Sequence, residues 1–476
     1  MKRVNGFWIP DDDHNLVLDL LGPGEAHDVS VFTEVRKYTK DQPKRVMVDV
    51  GANIGRWARH FHSDYDQIFC YEPANYNFSL NMWSTTKAED LRSSLKRLKK
   101  YLMGFFNTQN ILCLNRGRIG AYLAVKASIT NKRKKIIMSP FTIFDVVNMV
   151  ICAGGTPVFC DVEKKSITIS LDYIKQVYNK EVAAILITHT HLVNTDLDQI
   201  SNFAKKNNII LIEDCAISFG TKINKQLIGT IGDISFFSFG IFKFISSLNG
   251  GMILAKDNNI FNKIYRESKI FKKVDYKMIF KNYFKSLFVS FSTNNIIFKY
   301  LSSKVIKFGY INNVKLINDF SKNDPNPFLQ TQLPKNYQKK ISNSQCARIL
   351  AQLPYYLDDF ILRKRNAQLY YKSLKDIDEL LIPDFTESDS NGWINFPIFY
   401  EHRDNLLKYL FLNNRDIAIY FYRNCNELDI FKKYRNNNLK NIAQVIKEII
   451  ILPTYPKYHT EQIYMNIKLI RKYFKK

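Results

Sequence analysis

The stretch Ile209–Asp257, IILIEDCAISFGTKINKQLIGTIGDISFFSFGIFKFISSLNGGMILAKD, holds three short apolar runs, Ile209–Asp214, Asp233–Phe239 and Gly251–Ala255. Glycine-rich and polar turns separate them. Runs this short, apolar at successive positions and rich in Ile and Phe, read as strands buried on both faces, as in a parallel sheet. The same pattern extends toward the N-terminus. Asn110–Leu114, Lys135–Pro140, Pro157–Val162 and Val182–Thr188 read as strands, and helical stretches over Gly117–Ala127, Asn148–Ala153 and Asp196–Lys206 alternate with them. The expected fold class is therefore α/β, with a mostly parallel central sheet. In such sheets ligands bind beyond the carboxyl ends of the strands. Asp214, Ser238 and Lys243 fall at or just past such ends.

An acid, a serine and a lysine so placed suit pyridoxal phosphate. That cofactor needs an amine for its aldehyde, an anion opposite its pyridine nitrogen and a cradle for its phosphate. Lys243 supplies the amine and, once released, can carry a proton between two carbons. Asp214 can keep the ring nitrogen protonated. Ser238 and the backbone amides that open the Gly117 helix can hold the phosphate. A lone lysine after a strand is ordinarily just solvated, and an aspartate there can simply cap a helix; their joint occurrence carries the reading.

The motif series IEDCAISFG (Ile212–Gly220), IGTIGDISFFSFGIFK (Ile228–Lys243) and the following Gly250-Gly251 strand resembles the DegT/DnrJ/EryC1/StrS family of sugar aminotransferases. That family shows ED-x-A-x-x-x-G, then GD-x-x-x-FSF-x-x-x-K, then a GG strand. AGGTPVFCDV (Ala153–Val162), ISNSQCARILAQLPYYLDDFILRKR (Ile341–Arg365) and IIILPTYPKYHTEQIYMNI (Ile449–Ile467) extend the likeness over about residues 90–476. The resemblance implies a fold-type I enzyme that uses pyridoxal 5'-phosphate and moves an amino group, from glutamate, to a keto carbon of a nucleotide-linked sugar in surface polysaccharide or O-antigen synthesis. It also implies a homodimer. By position, Lys243 matches the lysine that carries the cofactor, Asp214 the acid at the pyridine nitrogen, and Ser238 the phosphate-binding serine. Gly117 and Arg118 match the Gly-Thr of the phosphate-binding helix start, with Ile119 offering the next amide. Ile143 or Phe144 falls where an aromatic stacks on the ring. Arg118 adds a charged contact to phosphate by our own inference.

The sequence also departs from the family. Ile217 stands where Gln or His is usual, three residues after the acid. Lys243-Phe-Ile-Ser-Ser-Leu-Asn-Gly-Gly251 lacks the usual Gly-Glu-Gly-Gly ending, and His191-Leu-Val-Asn194 replaces His-Leu-Tyr-Gly before a shortened loop. A catalytically impaired scaffold therefore stays open as a second reading. His189 and His191 alternate at strand spacing and are expected on one side of the strand. No third ligand accompanies them in the sequence, so no metal is expected.

Residues 1–83 form a separate segment, carrying 9 Lys+Arg against 12 Asp+Glu, whereas the remainder carries 60 against 32. RVMVDVGANIG (Arg45–Gly55) reads as strand, glycine turn and helix start, and QIFCYEP (Gln67–Pro73) as a second strand ending in an acid. With GFWIPDDDH (Gly6–His14), these resemble the start of FkbM-type methyltransferases that use S-adenosylmethionine. Asp49, Gly51, Asn53, Gly55 and Glu72 are the positions that would touch that cofactor. The likeness stops near Asn81, too early for a complete doubly wound domain. The segment is expected to be a truncated appendage, with adenosylmethionine binding not expected; a bifunctional fusion would need a full first domain. The expected organisation is thus 1–83, a large domain over 84–264, an aromatic and basic helical insertion over 265–339, and a small domain over 340–476. The helix AEDLRSSLKRLKKYLMGFF (Ala88–Phe106) begins the main body, capped by Ser84 or Thr85.

With 46% hydrophobic residues in 476, the chain is neither disordered nor collagen-like. Its net charge of +25 suits an anionic ligand such as a diphosphonucleotide. No nucleic-acid recognition motif accompanies it. Seven scattered cysteines without a C-x-x-C pair, and a start without an apolar signal region, suit the cytoplasm. The stretch Phe284–Phe308 is amphipathic but interrupted by four lysines. It falls short of a spanning helix; packing on the protein body or a partner subunit is expected there, with peripheral membrane contact through residues 276–316 as the alternative.

Overall fold

The computed structural model describes residues 88–475 except 192–195, 242, 386–390, 416, 418–422, 457 and most of 275–325; before residue 88 it describes four strands only. Two compact units result, Met1–Asn77 and Phe78–Lys476. In the first, β1 (Lys2–Val4) pairs antiparallel with β2 (Phe7–Ile9), and β3 (Val46–Val50) pairs in parallel with β4 (Gln67–Tyr71). Asp49 lies in β3. Gly51, Asn53, Gly55 and Glu72 lie outside the described residues, as do Ser84 and Thr85.

The second unit opens with helix α1 (Ala88–Phe106). A seven-stranded sheet follows, built from β5 (Ile111–Leu114), β6 (Lys135–Met138), β7 (Thr156–Phe159), β8 (Val182–Thr188), β9 (Ile210–Asp214), β12 (Ile234–Ser238) and β13 (Gly251–Ala255); β10 (Lys222–Ile223) and β11 (Gln226–Leu227) form a small hairpin between β9 and β12. The strand order is β5-β13-β12-β9-β8-β6-β7. The ladders from β12 to β7 are all parallel, and β13 alone runs against its two neighbours. Strand β8 is buried at six of seven positions and β13 at all five. Helices, among them α4 (Leu171–Val177) and α5 (Leu197–Lys206), cover both faces, as continuous apolar strands require. One core layer holds α1 residues Leu98 and Leu102 with Ile185 and Phe237; the other holds Leu123 and Val147 with Ile212 and Phe236.

The C-terminal part has its own core, in which Tyr370, Trp393, Phe396 and Ile467 meet. It is built from α8 (Tyr356–Leu374), α9 (Arg403–Leu412), α11 (Thr460–Phe474) and the antiparallel pair β14 (Asn395–Phe399) and β15 (Ile449–Pro453). Residues after 423 return to the large sheet before joining this layer. Asp161 beyond β7 accepts the backbone N–H of Lys440 (2.9 Å), Asn441 (3.0 Å) and Ile442 (3.0 Å). The N-terminus of α10 (Asn441–Glu448) is thereby fixed by a carboxylate. Helix α7 (Asn343–Gln352) is separated from α8 by a single 3₁₀ turn at Leu353–Tyr355, where Pro354 breaks the run. Of the 276–316 stretch only scattered positions are described; Phe291, Leu301, Val305 and Phe308 among them are exposed. Among the described residues no helix is long and apolar enough to cross a membrane.

Candidate active site

Four connections place side chains at one edge of the sheet, beyond the carboxyl ends of its parallel strands. Helix α2 (Gly117–Ser128) begins two residues after β5. Its N-cap Arg116 is extended and makes no side-chain cap; Ile119 N–H donates to Arg116 O at 3.3 Å, and the Gly117 and Arg118 amides are left for another acceptor. Gly117 sits against Ser238 at the end of β12 and Gly251 at the start of β13. A Cβ on Gly117 would lie 2.6 Å from Ser238 Cβ, and one on Gly251 would lie 2.6 Å from Gly117 Cα. Glycine here is a packing requirement. Gly117→Ala forces the helix start away from a backbone atom 2.9 Å off, and is expected to cost about 1–3 kcal/mol of stability. Thermal melts with and without pyridoxal phosphate check it; the variant should melt lower and gain less from the cofactor.

Lys243 lies in the loop between β12 and β13 and remains partly exposed as a residue. Removal of its ammonium from water lowers its pKa to about 8, with the Asp214 carboxylate opposing and Arg118 adding to the fall. Asp214 ends β9, is 3% exposed, and accepts the Ala216 N–H at 3.0 Å. Burial raises its pKa to about 6, against the pull of that hydrogen bond, Lys243 and His189. A desolvated amine and a desolvated acid thus face one another electrostatically, the arrangement of a working pair.

The loop carrying Lys243 is clamped by α7. Gln352 donates to Ser246 O (2.8 Å) and accepts from Ser246 N (2.9 Å). Gln345, on the same helix face seven residues earlier, donates to Asn249 O (2.7 Å) and Asn115 Oδ1 (3.1 Å). Phe244, next to Lys243, is buried under the guanidinium of Arg363 of α8, 5.0 Å from its ring centre. These residues were not singled out from the sequence. A glutamine pair at i and i+7 is the one trace they leave there.

Other expectations are redistributed. Ile143, the N-cap of α3 (Phe144–Cys152), is 36% exposed, whereas Phe144 is 1% exposed in the core against Phe328. Of the two stacking candidates, only Ile143 is open to a ligand. Arg118 pairs with Asp145 and donates to Tyr337 Oη at 3.0 Å. Ile119 is fully buried, and Ile217 packs half-buried against the core. Both histidines are buried and lie past the end of their strand. Strand β8 ends at Thr188, so the alternation that would have aligned them stops. His189 meets Glu213 at 3.1 Å, while burial and the charge of Lys243 lower the His191 pKa to about 3.

His189, Glu213 and Cys215 bring ligand-type atoms within 4.8 Å of one another. The Glu213 carboxylate is already occupied by the amides of Gly229 (3.0 Å), Ile231 (3.0 Å) and Gly232 (2.6 Å) as well as by His189. Burial raises the pKa of Glu213, but the hydrogen bonds from His189 and the glycine amides outweigh it and hold it below the usual carboxylate range. Burial keeps the Cys215 thiol protonated. The cluster is a polar staple joining β9 to the 229–232 turn, behind Asp214.

The residues fit pyridoxal phosphate: an uncapped helix start with a serine hydroxyl and two arginines suits its phosphate, and Lys243 with Asp214 suits its aldehyde and ring nitrogen. A mostly parallel seven-stranded sheet with that set at its carboxyl edge defines a transferase fold of the pyridoxal-phosphate type. The profile of the DegT/DnrJ/EryC1/StrS aminotransferase family matches residues 86–297 and 311–470, and the chain belongs to that family. Among curated relatives, GDP-perosamine synthase of Vibrio cholerae is 29% identical over 172 residues, 36% of this chain and 47% of that protein. The chain thus spans about half the length of that relative. The dTDP-4-amino-4,6-dideoxy-D-glucose transaminase of Shigella dysenteriae is 24% identical over 386 residues, 79% of this chain and 89% of that protein. The solved aminotransferase from Psychrobacter cryohalolentis superposes with a TM-score of 0.65 at 17% identity, covering 84% of this chain and 97% of that one.

Proposed function

We propose that this protein is a pyridoxal-phosphate-dependent aminotransferase that transfers an amino group from glutamate to a keto carbon of a nucleotide-linked sugar. The observation that carries the reading is the desolvated Lys243 amine beside the desolvated Asp214, next to an uncapped, cationic helix start. The amides of Gly117 and Arg118 with Ser238 Oγ would hold the phosphate, joined by that of Ile119 if it gives up its 3.3 Å bond to Arg116 O. Asp214 keeps a proton on the ring nitrogen. When bound, the cofactor supplies an electron sink for the carbanion that forms at the donor's Cα. Lys243, with its lowered pKa, takes the proton from that carbon and returns one in the second half of the cycle. The relatives named for GDP- and dTDP-linked sugars, and the net charge of +25, support a diphosphonucleotide substrate. The same reading includes a homodimer, a cytoplasmic location and a place in surface polysaccharide synthesis.

Ile217 favours one second reading, a cofactor-binding scaffold with impaired catalysis. Titration of the purified protein with pyridoxal phosphate, then with glutamate, separates the two. The proposed enzyme gains a visible band that glutamate bleaches while 2-oxoglutarate appears. A band indifferent to glutamate favours the scaffold, and no band at all defeats both. We read residues 1–83 as a truncated methyltransferase-like appendage, so calorimetric titration with S-adenosylmethionine should give no binding heat.

A further inference from the structure

Two guanidinium groups crowd the start of α2, and one tyrosine ring lies against both. Arg116 Cζ lies 5.0 Å and Arg118 Cζ 5.6 Å from the centre of the Tyr337 ring. Arg118 also donates to Tyr337 Oη at 3.0 Å and pairs with Asp145, while Arg116 donates to Asn249 Oδ1 at 3.2 Å. Burial, and then the like charge of Arg118, pull the Arg116 pKa down. The electron-rich ring face offsets part of that repulsion. Asp145 balances one of the two charges, leaving excess positive charge where the helix amides are uncapped.

Tyr337 is 8% exposed and stands on a strap of chain that is itself fastened down. Asn148, wholly buried in α3, donates to Phe328 O (2.9 Å) and accepts from Gln330 N (3.1 Å). Phe328 packs edge-on against Phe144, with ring centres 5.8 Å apart. At the other end, Lys340 N donates to Lys272 O (2.8 Å) and Lys272 N to Gln338 O (3.0 Å). The strap therefore spans α3, the start of α2 and the segment that follows α6 (Asn258–Ser268).

We propose that Tyr337 is a positioning residue for the phosphate cradle: its ring and hydroxyl hold Arg116 and Arg118 together as a cation pair that favours a phosphate dianion at the start of α2. This rests on the pyridoxal-phosphate reading above. It gives the end of the 265–339 segment a task, since Tyr337 fixes charges supplied by the helix and touches no reacting atom.

The test compares pyridoxal phosphate with pyridoxal, which lacks the phosphate, by absorbance titration of the full chain. Tyr337→Leu should weaken pyridoxal phosphate about tenfold, the scale of a partly desolvated cation–π contact. Its affinity for pyridoxal should stay within about twofold of wild type, because neutral-end contacts are untouched. Tyr337→Phe, which keeps the ring and loses only the hydroxyl, should show a smaller loss confined to the phosphate form; it carries the test alone if Tyr337→Leu does not fold. Equal weakening of both ligands, or no weakening of either, overturns the proposal while leaving the cofactor reading intact. A wild-type protein that binds neither ligand overturns both.

Discussion

Lys243→Ala is expected to abolish the visible band formed with pyridoxal phosphate and to lower transamination by at least about a thousandfold. The lysine is chemically unusual before any cofactor arrives. Desolvation brings its pKa to about 8, although the nearby Asp214 carboxylate favours its charged form. A larger share of molecules then carries a free amine near neutral pH than for an ordinary lysine. The rate of cofactor uptake by the wild-type protein should therefore climb with pH and level off above about 8. Lys243→Arg keeps the cation but offers no amine, and should fail as completely as alanine in the spectrum. A visible band that survives in both variants would assign the amine to another residue and end the proposed role of Lys243.

The parts of this protein that could be read from the sequence are those whose cause is local. The buried strands announce themselves because both faces are apolar, and Ala88–Phe106 forms as its pattern indicates. The antiparallel direction of β13 left no mark, since an apolar run is the same read either way. Asp214, Ser238 and Lys243 stood out because acid, hydroxyl and amine each follow an apolar run. Gln345 and Asn115 lie 230 residues apart, and Arg118 and Tyr337 lie 219 apart. Such pairs exist only once the sheet edge is assembled. Strand spacing does not decide the placing of the two histidines, for a related reason. A period of two holds only inside a strand, and β8 stops at Thr188, one residue before the first of them. Aromatic character was equally ambiguous at Phe144, where the core and Phe328 claim the ring.

Asp214→Asn should leave the fold standing and lower transamination by about a hundredfold to ten-thousandfold. The amide is nearly isosteric and can still accept the Ala216 N–H, now at 3.0 Å, so the loss falls on charge and not on shape. The charge is costly to keep. Burial lifts the acid to about 6, and only the Ala216 bond, Lys243 and His189 hold it that low. The Glu213 staple on the opposite face of β9 prevents the strand end from relaxing away, with three backbone amides and His189 locking it. With the cofactor bound, a protonated ring nitrogen would be a cationic partner that favours the ionised form of Asp214. The sign of the pH effect follows. Asp214 is useful as the anion, so wild-type activity should fall as pH drops through about 6, where the acid protonates. Asp214→Asn, already neutral, should show its reduced rate without that fall. If profiles of kcat/KM against pH keep the same acid limb in both proteins, the limb belongs to another group and Asp214 is not the ring-nitrogen partner.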